Sequence, residues 1–135
     1  MKPAPFCYTL ANSIEEVVTI LDESGGDAII IAVGQTLMPM MALRMARPEI
    51  VVDINSIKEL AGIISSDDEV TIKACTRQTT ALESSIVVDR LPLLAKAIAF
   101  VGHQQIRNRG TVGGSLSLAD PASEIPLAAL TMDAY

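Results

Sequence analysis

The sequence predicts an α/β chain, with strands and helices alternating over residues 1–56 and a second, α+β part over residues 57–135. Three observations carry that reading. Ser13-Ile14-Glu15-Glu16 has the form of a capping box, and Ile14, Val17, Val18 and Leu21 follow at helical spacing until Gly25-Gly26 ends them. Ala28-Ile29-Ile30-Ile31-Ala32 and Ile50-Val51-Val52-Asp53 are short, β-branched, apolar runs of the kind buried on both faces of a parallel sheet. Beyond residue 57 the texture changes: Gly62 to Ser65 and Glu69 to Ala74 flank the polar turn Ser66-Asp67-Asp68, as in an antiparallel hairpin.

Taken in order, the elements give a β-α-β-α-β opening with its central strand at Ala28–Ala32. Val33-Gly34-Gln35-Thr36 then forms a small-residue turn, and a short helix runs from Leu37 to Met45, where Pro39 is tolerable only in the first turn. After the hairpin, helical stretches are expected at Thr79–Val88 and Pro92–Val101. A polar, glycine-rich loop follows from Gly102 to Gly114, then a short strand at Ser115–Leu118. The last element expected is a helix over Glu124–Met132 with no cap after it.

With 135 residues, half of them hydrophobic, the chain is long enough to bury a core without staples. A 19% charged fraction is too low for a disordered chain, and the net charge of −6 argues against a general nucleic-acid or anionic-membrane surface. Phe6, Tyr8, Phe100 and Tyr135 are too few and too scattered to stack single-stranded nucleic acid. Cys7 and Cys75 form no CxxC pair and suggest neither a disulfide framework nor a metal site, so a reduced cytoplasm is the expected location. Met1-Lys2-Pro3-Ala4-Pro5 does not read as a secretory leader, and the longest aliphatic run, Ala28 to Val33, is too short to span a bilayer.

Two loops invite chemistry: Ala32-Val33-Gly34-Gln35-Thr36-Leu37 and Arg109-Gly110-Thr111-Val112-Gly113-Gly114-Ser115. Glycines at a strand-to-helix turn let backbone N–H groups close on a phosphate, and two such loops suit a diphosphate. Glycines also make tight turns with no ligand at all. Neither loop has the GxGxxG spacing of a dinucleotide fingerprint or the GxxxxGK[ST] of a P-loop.

The runs AVGQTLMPMMALRMARPEIVVDI, IKACTR and VGHQQIRNRGTVGGSLSLADPASEIP resemble the FAD-binding subunit of the molybdenum hydroxylases. This is the medium subunit of carbon monoxide dehydrogenase and its relatives, similar to the flavin domain of xanthine dehydrogenase. The resemblance implies the two-subdomain FAD-binding fold of the vanillyl-alcohol-oxidase type, with FAD in the cleft between subdomains and the second subdomain incomplete at Tyr135. It also implies the site residues. Ala32, Val33, Gly34, Gln35, Thr36 and Leu37 would wrap the pyrophosphate, while Thr111, Val112, Gly113, Gly114 and Ser115 approach its other side and the ribityl chain. Glu124 would hold ribityl or adenosine-side hydroxyls, with Asp120 just before it, and Phe100 would lie against the isoalloxazine. The implied partners are a molybdenum-cofactor large subunit and an iron–sulfur small subunit, with FAD relaying electrons to an external acceptor.

Three departures from the family pattern shape the expectations. Val33 stands where a second glycine is usual, and a positive φ there would cost about 1–3 kcal/mol, so Val33→Gly is expected to strengthen FAD binding. Lys73 stands where a glycine precedes the alanine. The early stop is expected to leave Leu127, Leu130 and Met132 uncovered and to favour a homodimer. A truncated relative that has lost FAD and serves as an assembly module is the alternative reading. Of the other residues, His103 is expected to be structural or superficial, Cys7 and Cys75 small hydrophobes, and Met38, Met40, Met41 and Met45 adaptable core or a docking face. Arg107 and Arg109 suit either a diphosphate or a solvated surface.

Overall fold

A computed structural model describes all 135 residues. They form two compact units, Met1–Lys58 and Glu59–Tyr135.

The first unit contains β1 (Cys7–Leu10), α1 (Ile14–Glu23), β2 (Ala28–Ile31), α2 (Leu37–Ala42) and β3 (Ile50–Asp53). The strands form one parallel sheet in the order β1-β3-β2, with Cys7 and Ala28 both opposite Ile50. The expected central strand is therefore an edge, and β3 takes the middle. Val51 and Val52 point to opposite faces and both are fully buried, whereas Ile30 of β2 is 42% exposed. Local composition alone does not distinguish the two strands: both are β-branched runs, and only pairing on two sides makes β3 central.

Helix α1 starts as its sequence predicts. Ser13 Oγ accepts from Glu16 N at 3.1 Å, and the Glu16 carboxylate reaches back to Asn12 N at 2.8 Å, one residue further than in the standard box. Helix α2 stops three residues earlier than expected. Arg44 takes a left-handed conformation (φ 59°), with its N–H on Met41 O and that of Met45 on Met40 O, a Schellman cap with arginine in the usual glycine place. Of the methionines only Met41 becomes core, packed with Ile31 and Val51, while Met45 lies out in solvent.

The second unit opens with the 3₁₀ turn that ends at Leu60 and the antiparallel hairpin of β4 (Ile63–Ser65) and β5 (Val70–Ile72). The Arg90 guanidinium grips its turn, donating to Ser65 Oγ at 2.6 Å, to Asp67 O at 2.9 Å and to Ser66 O. Helices α3 (Gln78–Glu83), α4 (Ser85–Arg90), α5 (Pro92–Phe100), α6 (Gln104–Arg107), α7 (Val112–Leu118) and α8 (Glu124–Thr131) follow. Ala81, Val87, Leu94, Ala95, Ile98, Val112, Ile125 and Ala128 form one core, with Ile63 and Ile72 of the hairpin packed against it.

Four expectations are corrected here. The single helix over Thr79–Val88 is two, broken where Ser84 is extended (ψ 122°). In an unbroken helix Ala81 and Val87 would lie about 120° apart around the axis; the break brings both into the same core. The segment Gly102–Gly114 is not wholly loop, since it holds α6 and the start of α7. The strand expected at Ser115–Leu118 is helical, because Thr111 caps a helix that runs through it. Finally, α8 does have a cap: Asp133 is left-handed (φ 54°), and Asp133 N and Ala134 N donate to Leu130 O and Ala129 O.

Candidate functional site

In the first unit, the expected residues Ala32–Leu37 connect β2 to α2. Gly34 sits at φ 72°, and a Cβ there would lie 2.6 Å from Met38 Cγ and 2.7 Å from Ile31 Cδ1. Glycine is required both for the conformation and for the space. The turn holds itself through carbonyls: Gly34 O accepts from Met38 N at 3.0 Å and Thr36 O from Met40 N at 3.2 Å. The N–H groups of Val33, Gly34, Gln35, Thr36 and Leu37 are donated to nothing in the chain. This is a run of unspent donors on a half-buried to exposed turn, the arrangement that receives an anion. Val33 is not among the residues of positive φ. The strain expected of it is absent, because Gly34 alone takes the left-handed position.

In the second unit, Thr111–Ser115 is built the opposite way. Residues 74–79 and 108–115 run antiparallel and are bonded along their length: Gly113 N to Ala74 O at 2.9 Å, Val112 N to Thr76 O at 3.0 Å, and Gln78 N to Gly110 O at 2.9 Å. Side chains continue the zipper, with Arg77 Nη1 on Arg109 O and Thr79 Oγ1 on Asn108 Oδ1, both at 2.7 Å. Thr111 Oγ1 caps α7 by accepting from Gly114 N at 3.1 Å, and Ser115 N donates to Thr111 O at 3.2 Å. A Cβ at Gly113 would fall 2.7 Å from the Ala74 backbone, so the glycine there admits a neighbouring chain segment. With the amides of Val112 to Ser115 spent, this loop offers a ligand the half-buried Ser115 hydroxyl instead, while Thr111 is 3% exposed and its Oγ1 serves the cap. The partner segment, Ala74 to Thr79, overlaps the run IKACTR that carries the resemblance, but its role as a bonding partner is defined by residues distant along the chain.

The remaining candidates also lie in the second unit. Phe100 ends α5 and is 78% exposed; Arg107 Nη1 fixes the turn after it by donating to Val101 O and Gly102 O, each at 3.0 Å. Asp120 follows the left-handed Ala119, and its Oδ1 accepts from Ala122 N at 2.9 Å, shaping the turn into α8. Half of that carboxylate is thus structural. Glu124 is the first residue of α8, half-buried, with no hydrogen-bond partner in the chain. Leu127 and Leu130 are exposed as expected, at 62% and 79%, but Met132 packs against the core. Cys7 is exposed and Cys75 buried, and they form no disulfide. No group of His, Cys, Asp and Glu side chains could hold a metal ion, and no helix is long and apolar enough to cross a membrane.

Residues 4–135 match the family described as the FAD binding domain in molybdopterin dehydrogenase. The chain is 47% identical over its whole length to the 6-hydroxypseudooxynicotine dehydrogenase complex subunit alpha of Paenarthrobacter nicotinovorans, spanning 46% of that protein. It is 41% identical, again over its whole length, to the carbon monoxide dehydrogenase medium chain of Hydrogenophaga pseudoflava, spanning 47% of it. Among solved structures, carbon monoxide dehydrogenase from Hydrogenophaga pseudoflava superposes with a TM-score of 0.90 at 44% identity, over 93% of this chain and 44% of that one. Quinoline 2-oxidoreductase from Pseudomonas putida 86 gives 0.89 at 38% identity, with the same coverage. With the family matched over all but the first three residues and the fold shared with these solved structures, the chain belongs to the FAD-binding domains of the molybdopterin dehydrogenases.

Proposed function

We propose that this chain binds FAD and serves as the flavin-carrying part of a molybdenum hydroxylase. The observation that carries the reading is the run of undonated N–H groups from Val33 to Leu37, held open by the left-handed Gly34. These amides would take the pyrophosphate. Within the second unit, the Ser115 hydroxyl would offer a donor to a ligand oxygen, the partnerless Glu124 carboxylate would accept from ligand hydroxyls, and Phe100 would offer a flat apolar face to a ring. Gly113, Gly114 and Asp120 would hold these groups in place rather than touch the cofactor through their amides or a whole carboxylate.

Bound FAD would accept electrons from an iron–sulfur centre and hand them to an external acceptor; the protein binds it, orients it and shields it. Partnership with a molybdenum-cofactor large subunit and an iron–sulfur small subunit is supported by relatives named as a subunit of a dehydrogenase complex and as a medium chain. Cysteine usage supports a reducing, cytoplasmic setting. The test is titration of the purified chain with FAD, followed by quenching of flavin fluorescence. Saturable binding supports the reading. Its absence favours the second reading, an assembly module without FAD that associates through exposed Leu127 and Leu130.

A further inference from the structure

Gln78 is 3% exposed at the start of α3, and its carboxamide is used on one side only. Its Nε2 donates to Ser115 Oγ at 3.0 Å, while Oε1 is buried with no partner. Around it the loop is closed tightly. The Gln78 backbone N–H holds Gly110 O at 2.9 Å, and a Cβ on Gly110 would meet the carboxamide at 2.9 Å. Gln78 is therefore the post about which Gly110 to Ser115 is wound, and its only side-chain bond ends on one hydroxyl.

We propose that Gln78 is a positioning residue for the flavin site: by donating to Ser115 Oγ it fixes that hydroxyl as an acceptor inward and a donor outward. A hydroxyl carries one proton, and Ser115 Oγ has no second partner in the chain, so the proton remains for an acceptor oxygen of the ligand. Turned over, the carboxamide would take the Ser115 proton itself and leave the ligand facing a lone pair. The buried donor thus sets the polarity of the loop. This rests on the reading of the chain as FAD-binding.

The test compares FAD affinity in the parent, Gln78→Met, Ser115→Ala and the double variant, alongside the side-chain amide resonances of Gln78. Each single change should weaken FAD binding about tenfold, and the double should lose no more than about twofold beyond Ser115→Ala alone, because Gln78 acts through Ser115. Should Gln78→Met not fold, Ser115→Ala and the Gln78 side-chain amide resonances carry the test. One Gln78 Nε2 proton should shift when Ser115 becomes alanine, with or without FAD. Additive losses, an unaffected Ser115→Ala or an unmoved resonance would overturn the role of Gln78 while the parent still binds. A parent that binds no FAD would overturn the site reading and this proposal together.

Discussion

Two glycine loops that look alike in sequence are built to opposite ends. In Val33–Leu37 the glycine adopts a left-handed turn and the amides that follow are left undonated. In Gly110–Ser115, Gly110 and Gly113 admit a neighbouring segment of chain, and the amides of Val112, Gly113, Gly114 and Ser115 are all consumed within the unit. The lesson is that a glycine-rich loop is a phosphate cradle only where its N–H groups remain available. The same residue serves conformation in one place and close approach in the other, and the two respond differently to an added Cβ.

The largest contrast should come from Gly113→Val. Its side chain would meet the Ala74 backbone at 2.7 Å, which cannot swing aside as a flexible side chain can. We expect a loss of about 3 kcal/mol or more, read as a fall in Tm of roughly 10 °C or failure to fold. Any loss of FAD binding would follow from that. Gly34→Ala should cost about 1–3 kcal/mol, since φ 72° is strained for alanine, while the crowding atoms belong to the movable side chains of Met38 and Ile31. Here FAD affinity should fall even where the fold survives, which calorimetry beside a flavin titration would show.

Smaller effects sharpen the picture. Thr111→Val removes the cap on Gly114 N and should lower stability by about 1 kcal/mol in thermal unfolding. Val33→Gly should change FAD affinity by less than about threefold and cost at most about 1 kcal/mol, because Val33 stores no left-handed strain to release. This reverses what the sequence alone suggested. A tenfold gain in affinity would show that the Val33 side chain obstructs the ligand for another reason.

What was legible in the sequence was local. Ser13 and Glu16 announced α1, the β-branched runs announced the sheet, and Ser66-Asp67-Asp68 announced the hairpin, because each depends on neighbours within a few residues. The rank of β3 over β2, the break at Ser84 and the helicity of Ser115–Leu118 were not legible, since each is decided by partners elsewhere in the fold. The site divides in the same way. Gly34 and its turn could be read directly, but Gln78 and Ala74 acquire their roles only when a segment more than thirty residues away is laid beside them.

The proposed function turns on the first loop taking FAD through its backbone amides, while the amides of Val112 to Ser115 are already spent. It is tested most directly by following the amide resonances of the ¹⁵N-labelled chain as FAD is added. The account predicts large shifts for Val33 to Leu37 and, by comparison, small ones for Val112 to Ser115, whose N–H groups keep their partners throughout. Equal shifts in the two loops, or larger ones in the second, would contradict it.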